Sequence, residues 1–311
     1  MTNENAIEIK NLTKKFGDNI AVNDISFDVK PGEVFGLLGP NGAGKTTTLR
    51  MITTLLKQDS GTIRIFGHDT AKEGKDARSM FGLTGQYASV DEDITARENL
   101  MIFSRLNGLT RTESKKRTEE LLKEFSLENS ADKNLKDFSG GMRRRLDLAV
   151  SLITRPALIF LDEPTTGLDP RTRLQMWDTI RELVKQGSTI ILTTQYLDEA
   201  DQLADRIAVI DHGKLVKIGT PEELKQCVGG TKLKFVVDDD GKIQEVENML
   251  NKQFSLNPKV TDNKVDLILN KKNQLVAVLN ALDEDNISTS HLVVEEPSLD
   301  DVFMSLTVGK N

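Results

Sequence analysis

The chain has 311 residues, 38% apolar and 29% charged, enough for one large globular domain or two smaller ones. Its formal charge of −7 argues against broad electrostatic binding to nucleic acid, and the single cysteine, Cys227, cannot form an internal disulfide, which fits a reducing compartment. The polar start, Met1-Thr-Asn-Glu-Asn-Ala6, lacks the apolar core of a secretory signal, and no apolar run approaches the ~20 residues that span a bilayer, so any membrane part is expected from another chain.

Ile7 and Ile9 alternate with polar residues, as do Phe27 and Val29, and Pro31-Gly32 makes a turn, so the opening segment reads as strands. Val34–Leu38 is a continuous apolar run leading into a glycine-rich loop, and 62–66 reads as a short strand after Gly61. From about 95 to 134, Glu, Lys and Arg dominate, with Leu100, Phe103, Leu121, Leu122 and Phe125 at helical spacing: a mostly helical insertion with a solvated face. Met142, Leu146, Ala149, Val150 and Ile153 follow the pattern of a helix begun after Gly141. The apolar strand 157–161, a helix near 173–185 and the strand 189–193 complete an alternation that predicts a parallel sheet covered on both faces.

From about 231 the pattern changes. A strand over 231–237 carries Leu233, Phe235 and Val237 on one face and ends in the turn Asp238-Asp-Asp-Gly241. A helix with Ile243, Val246, Leu250 and Phe254 follows, then strands near Lys259 and over 265–269, a helix with Leu275, Val278, Leu279 and Leu282, and a strand over 287–294. Strand-helix-strand-strand-helix-strand is the split βαβ order, which predicts a separate small domain with Gly229-Gly230 as the joint.

Gly39, Pro40, Asn41, Gly42, Ala43, Gly44, Lys45 and Thr46 match G-x-x-x-x-G-K-[ST] in full, between an apolar strand and a helix that Thr47 continues. Glycines let backbone N–H groups turn inward around a β-phosphate, and the helix adds its positive end. Lys45 would reach the β- and γ-phosphates of ATP, and the Thr46 hydroxyl would ligate Mg²⁺. Asp162, at the end of its strand, is placed to hold Mg²⁺ and Glu163 to polarise the attacking water. Ser139, Gly140 and Gly141 lie at a helix mouth between these motifs, an end that favours an anion, and Ser139 also reads as an ordinary N-cap. The run Arg143, Arg144, Arg145 is read as a phosphate-sensing group or, preferred, a solvated helix face.

These motifs, in this order, resemble the ATP-binding cassette family over the first 225 or so residues. The resemblance implies an α/β P-loop NTPase core with an antiparallel β subdomain and a helical subdomain (about 88–150) in a nucleotide-binding domain of 1–228. A small α+β, ferredoxin-like domain over 231–311 follows. It further implies Gln86 as the glutamine-loop Mg²⁺ ligand, Asp169 in Gly167-Leu-Asp169 as a contact to the opposite subunit, and Phe16 as an adenine platform, although an apolar residue at a strand end is more often core. Phe138-Ser-Gly-Gly-Met142 resembles the signature that binds the γ-phosphate held by a second copy, so two chains would sandwich two ATP molecules. Gln195 stands where many members have histidine; its amide donates a hydrogen bond without titrating, and we expect a working site with Gln195 as γ-phosphate sensor.

The stretch from Ser139 to Ala149, the Gln195 variant and Pro297-Ser-Leu-Asp-Asp-Val-Phe303 are together similar to the daunorubicin-resistance ATPase branch, whose members energise drug exporters. That resemblance implies a homodimeric, peripheral ATPase on the cytoplasmic face of the membrane, paired with a separate permease gripped by residues 88–134. No nucleic-acid partner is expected. Export of a lipid or polysaccharide, or a soluble cassette ATPase acting on DNA or ribosomes, are the competing readings. In the tail, Leu299, Val302 and Phe303 read as the small domain's own core in preference to a dimer interface.

Overall fold

The computed structural model describes residues 5–84, 90–227, 230–269 and 272–307. The chain divides into two compact units, Met1–Pro221 and Glu222–Asn311. In the first, β1 (Ile7–Phe16) and β2 (Asn19–Val29) pair antiparallel. The buried strand β3 (Val34–Leu38) feeds α1 (Lys45–Ile52), and β4 (Ser60–Ile65) returns to pair with β1, with the short β5 (His68–Asp69) at its edge. These outer strands form a four-stranded antiparallel sheet, β2-β1-β4-β5.

α2 (Gly74–Ser79) and β6 (Phe81–Thr84) precede the helical insertion of α3 (Ala96–Leu106) and α4 (Arg111–Glu124). Both insertion helices start on complete capping boxes, Thr95 with Glu98 and Thr110 with Glu113, which satisfy first-turn amides that have no helical partner. Leu100, Leu121, Leu122 and Phe125 are buried, as their spacing predicts. α5 (Gly140–Ser151), β7 (Leu158–Asp162), α6 (Pro170–Lys185), β8 (Thr189–Thr194) and α7 (Leu197–Leu203) follow. The main sheet then closes with β9 (Arg206–Asp211) and β10 (Lys214–Gly219) in the order β10-β9-β3-β8-β7-β6.

Strands β9, β3, β8, β7 and β6 run parallel, and β10 turns back antiparallel on β9. This hairpin is an addition to the predicted parallel sheet. Successive residues of β7 point into different cores: Leu158 and Phe160 join the outer strands and α1, while Ile159 and Leu161 join the insertion, α5 and α6. Both faces of the main sheet are therefore covered by apolar side chains, which explains its continuous apolar strands.

The second unit begins in α8 (Pro221–Gln226) and contains β11 (Thr231–Val237), α9 (Ile243–Phe254), β12 (Lys259–Thr261), β13 (Lys264–Leu269), α10 (Lys272–Glu284), β14 (Thr289–Glu295) and α11 (Leu299–Thr307). Its sheet order, β12-β13-β11-β14 with every pair antiparallel, is the topology of a split βαβ fold. Leu233, Phe235 and Val237 alternate into a core with Val246, Leu250, Val278 and Leu282. Leu299 and Val302 are buried on α11, a helix outside the predicted set, and Phe303 is half-buried. Gly229 of the predicted joint lies outside the described residues.

Candidate active site

The glycine loop, Asp162, Glu163 and Gln195 lie at the carboxyl ends of the parallel strands, where α/β sheets place ligands. Pairing of Leu38 with Thr194 and of Asp162 with Thr193 brings the ends of β3, β8 and β7 side by side. The glycine loop leaves β3, Asp162 and Glu163 end β7, and Gln195 follows β8 as an exposed residue. Gly42 and Gly44 take positive φ, 80° and 105°, which an L side chain rarely adopts. A Cβ on Gly39 would strike the Ile210 carbonyl and one on Gly44 the Ala21 carbonyl, whereas Gly42 faces open space. Two of these glycines thus serve close backbone packing, and Gly42 leaves room for a ligand.

Lys45 is 5% exposed, and its ammonium donates to the carbonyls of Gly39 at 2.7 Å and Pro40 at 3.0 Å. Burial pushes its pKa down, against the opposing pull of Glu163 and Asp162. Around it Ala43 is buried, Thr47 and Pro40 are half-buried, and Asn41 and Thr46 are exposed. Asp162 is buried and accepts a short hydrogen bond from the Thr193 hydroxyl. Glu163 is half-buried with φ 48°, a left-handed conformation that costs about 1–3 kcal/mol in a non-glycine residue. Its amide donates to the Thr193 carbonyl at 3.0 Å, and its carboxylate accepts from the Thr166 hydroxyl at 3.2 Å.

At the signature turn, Ser139 caps α5 by accepting from the Met142 amide at 3.3 Å. A Cβ on Gly140 would meet nothing, but one on Gly141 would collide with Thr172 on α6. Asp169 caps α6, accepting from the Arg171 and Thr172 amides and the Thr172 hydroxyl, and these bonds hold its carboxyl below the usual range. Phe16 is 50% exposed at the end of β1, with the Lys14 ammonium 5.5 Å from its ring centroid; it is not a core residue. Gln86 lies outside the described residues.

The arginine run is not the solvated face preferred on sequence grounds. Arg143 pairs with Glu92 at 2.5 Å, and Arg145 donates to the Phe125 carbonyl at 2.9 Å. Arg144 donates to the carbonyls of Asp162, Glu163 and Pro164. All three side chains are consumed by the fold because α5 packs between the insertion and the end of β7. A second group hidden from sequence reasoning is Glu199, fully buried on α7, which accepts from the Trp177 indole at 3.2 Å. Burial pushes its carboxyl pKa up.

For a cation, the available donors are the Thr46 hydroxyl and the Asp162 carboxylate, hard oxygens that suit Mg²⁺. Among the described residues no group of three or more His, Cys, Asp or Glu side chains forms a complete metal cage. Such a sparse oxygen set fits an ion that completes its shell with nucleotide phosphates.

Comparison with known proteins agrees with this geometry. A family model described as "ABC transporter" matches residues 22–166, and one described as "ATP-binding protein DrrA1-3-like, C-terminal domain" matches 219–307. The chain is 45% identical to the daunorubicin/doxorubicin resistance ATP-binding protein DrrA of Streptomyces peucetius, over 97% of this chain and 92% of that one. It is 39% identical to the doxorubicin resistance ATP-binding protein DrrA of Mycobacterium tuberculosis, over 97% and 93%. A Nod factor export ATP-binding protein I of Burkholderia orbicola is 45% identical over 70% of this chain and 72% of its own. Among solved structures, an ATP-binding subunit of an ABC transporter superimposes with a TM-score of 0.64 at 29% identity, covering 71% of this chain and 92% of that one. The dimeric cassette MJ0796, bound to ADP and Pi, gives 0.62 at 27%, covering 69% and 98%. The chain belongs to the ATP-binding cassette transporter family and is an ATP-binding, ATP-hydrolysing subunit of the type that carries a DrrA-like C-terminal domain.

Proposed function

We propose that this chain drives export of a drug or other small molecule through a separate membrane permease. The carrying observation is the similarity to the daunorubicin/doxorubicin resistance protein across 97% of the chain, C-terminal unit included. The Nod factor export relative aligns with only 70% of it, so the lipid or polysaccharide reading has less support. No helix among the described residues is long and apolar enough to cross a membrane. In this reading the permease is a second protein, gripped by residues 88–134 at the cytoplasmic face of the membrane.

In this reading two copies close on two ATP molecules. The loop from Gly39 to Thr47 wraps the phosphates, Lys45 leaves the Gly39 and Pro40 carbonyls to bind the β- and γ-phosphates, and Phe16 stacks on adenine. Thr46, Asp162 and Gln86 would hold Mg²⁺, which when bound would neutralise developing phosphate charge. Ser139, Gly140 and Gly141 face the γ-phosphate on the partner copy, and Asp169 lies at the same contact. Glu163 accepts the proton of the attacking water, and the Gln195 amide donates to the γ-phosphate.

Glu163→Gln tests the core of this scheme. It should keep ATP binding, lower turnover at least ~100-fold and accumulate an ATP-bound dimer visible by sedimentation. Turnover at the parental rate removes Glu163 as the base. Isolation with ribosomes or DNA instead of a multi-span membrane protein overturns the exporter reading.

A further inference from the structure

We propose that Arg144 is a positioning residue for hydrolysis, holding the backbone of residues 162–164 in the one conformation that aims the Glu163 carboxylate. The inference rests on the reading of Glu163 as the base.

β7 ends at Asp162, and the chain then leaves the sheet through Glu163 in a left-handed conformation. A non-glycine residue persists there only when its surroundings over-determine it. Three successive carbonyls leave the strand, and one guanidinium collects all of them. Arg144 Nε donates to Pro164 O at 3.0 Å, while Nη2 donates to Asp162 O at 2.8 Å and Glu163 O at 3.2 Å. From the other side, the Glu163 amide is held by the Thr193 carbonyl at 3.0 Å. The peptide units flanking the Glu163 Cα are therefore fixed by donors and acceptors on two different elements, so the direction of its Cα–Cβ bond is set by them.

The guanidinium suits this task because its donors form a rigid planar fork that a lysine ammonium does not reproduce. It is half-buried, and the negative field of Asp147, Asp162, Glu199 and Glu163 opposes its desolvation only in part. Arg144 also stands on α5, the helix whose first turn carries Ser139, Gly140 and Gly141. One rigid helix thus links the anion-facing turn to the backbone of the base within the same chain. Movement of α5 when its turn meets a phosphate would be passed to Glu163 through these three hydrogen bonds.

The test is steady-state ATPase kinetics and ATP binding on the full-length protein, with Arg144→Met and Arg144→Gln made alone and in a Glu163→Gln background. A misaimed base costs turnover and spares binding. Arg144→Met should lower kcat about 10- to 100-fold while KM for ATP stays within about 3-fold. In the Glu163→Gln background the same change should lower residual turnover less than about 2-fold, because there is no base left to aim. Parental kcat in both Arg144 variants overturns the proposal, as does a full multiplicative loss in the Glu163→Gln background. Should Arg144→Met fail to fold, Arg144→Gln, which keeps one amide donor, carries the same comparison. The two readings fail separately: a fully active Glu163→Gln removes the base, whereas an inactive Glu163→Gln beside a fully active Arg144→Met removes only the positioning role.

Discussion

Lys45 shows what a single residue gives up in the proposed phosphate site. Its ammonium is almost wholly buried and donates to two loop carbonyls, those of Gly39 and Pro40. Burial pushes its pKa down, so the charged form is held at a cost. The sign follows: this cost is present where the lysine is charged, below its folded pKa, and is relieved as pH rises from there towards the ordinary lysine value. Lys45→Met should therefore raise the stability of the nucleotide-free protein at neutral pH, by about 1 kcal/mol, as functional groups replaced by apolar ones commonly do. The same variant should show no ATP-induced rise in melting temperature, where the parent rises by linkage. Thermal melts with and without Mg²⁺-ATP measure both; a destabilised Lys45→Met would mean that the carbonyl contacts outweigh the burial.

At the scale of elements, α5 and α6 meet where Gly141 leaves no room for a side chain against Thr172. Thr172 cannot swing away freely, because its hydroxyl donates to the Asp169 cap at 2.5 Å. Gly141→Ala should then cost about 1–3 kcal/mol through overpacking. Thr172→Ser removes the colliding methyl and keeps the hydroxyl, so the double variant Gly141→Ala/Thr172→Ser should recover most of the melting temperature. Equal instability of single and double variants would exclude this collision as the cause. The example also marks what could be read in advance. The glycine loop, the acidic strand end and the helix after Gly141 were legible because each is a local pattern of residue type and period. The partners of Gly141 and Arg144 were not, since Thr172 and the 162–164 carbonyls come from elements distant in sequence and are specified by packing. The β9–β10 hairpin and α11 escaped for a related reason: Ile207, Ala208, Val209 and Ile210 form a run too short to declare its pairing, and α11 is only nine residues.

For the molecule as two units, the question is what holds the second together, since its core is small and built on one sheet face. Ser298 and Asp301 form a reciprocal N-terminal cap on α11: the Asp301 amide donates to the Ser298 hydroxyl at 3.2 Å, and Asp301 accepts from the Ser298 amide at 3.0 Å. The other oxygen of Asp301 accepts from Lys232 of β11 at 2.6 Å, tying the helix to the central strand. The Lys232 hydrogen bond, followed by the Ser298 amide, lowers the Asp301 carboxyl from 3.8 to about 2. A carboxyl depressed on folding adds stability that is fully present above its unfolded pKa and is lost as pH falls through about 2. Solvent reaches both partners, so screening leaves the pair a contribution of about 1 kcal/mol or less. The single Trp177 belongs to the first unit, so an unfolding phase seen by far-ultraviolet dichroism without change in tryptophan emission reports the second. In urea, the midpoint of that phase should fall as pH is lowered from 5 towards 2. In Lys232→Met it should start lower at pH 5 and fall less steeply, because the shifted carboxyl has lost its largest partner. Identical midpoints in the two proteins across this range would show that the Lys232–Asp301 pair does not stabilise the C-terminal unit.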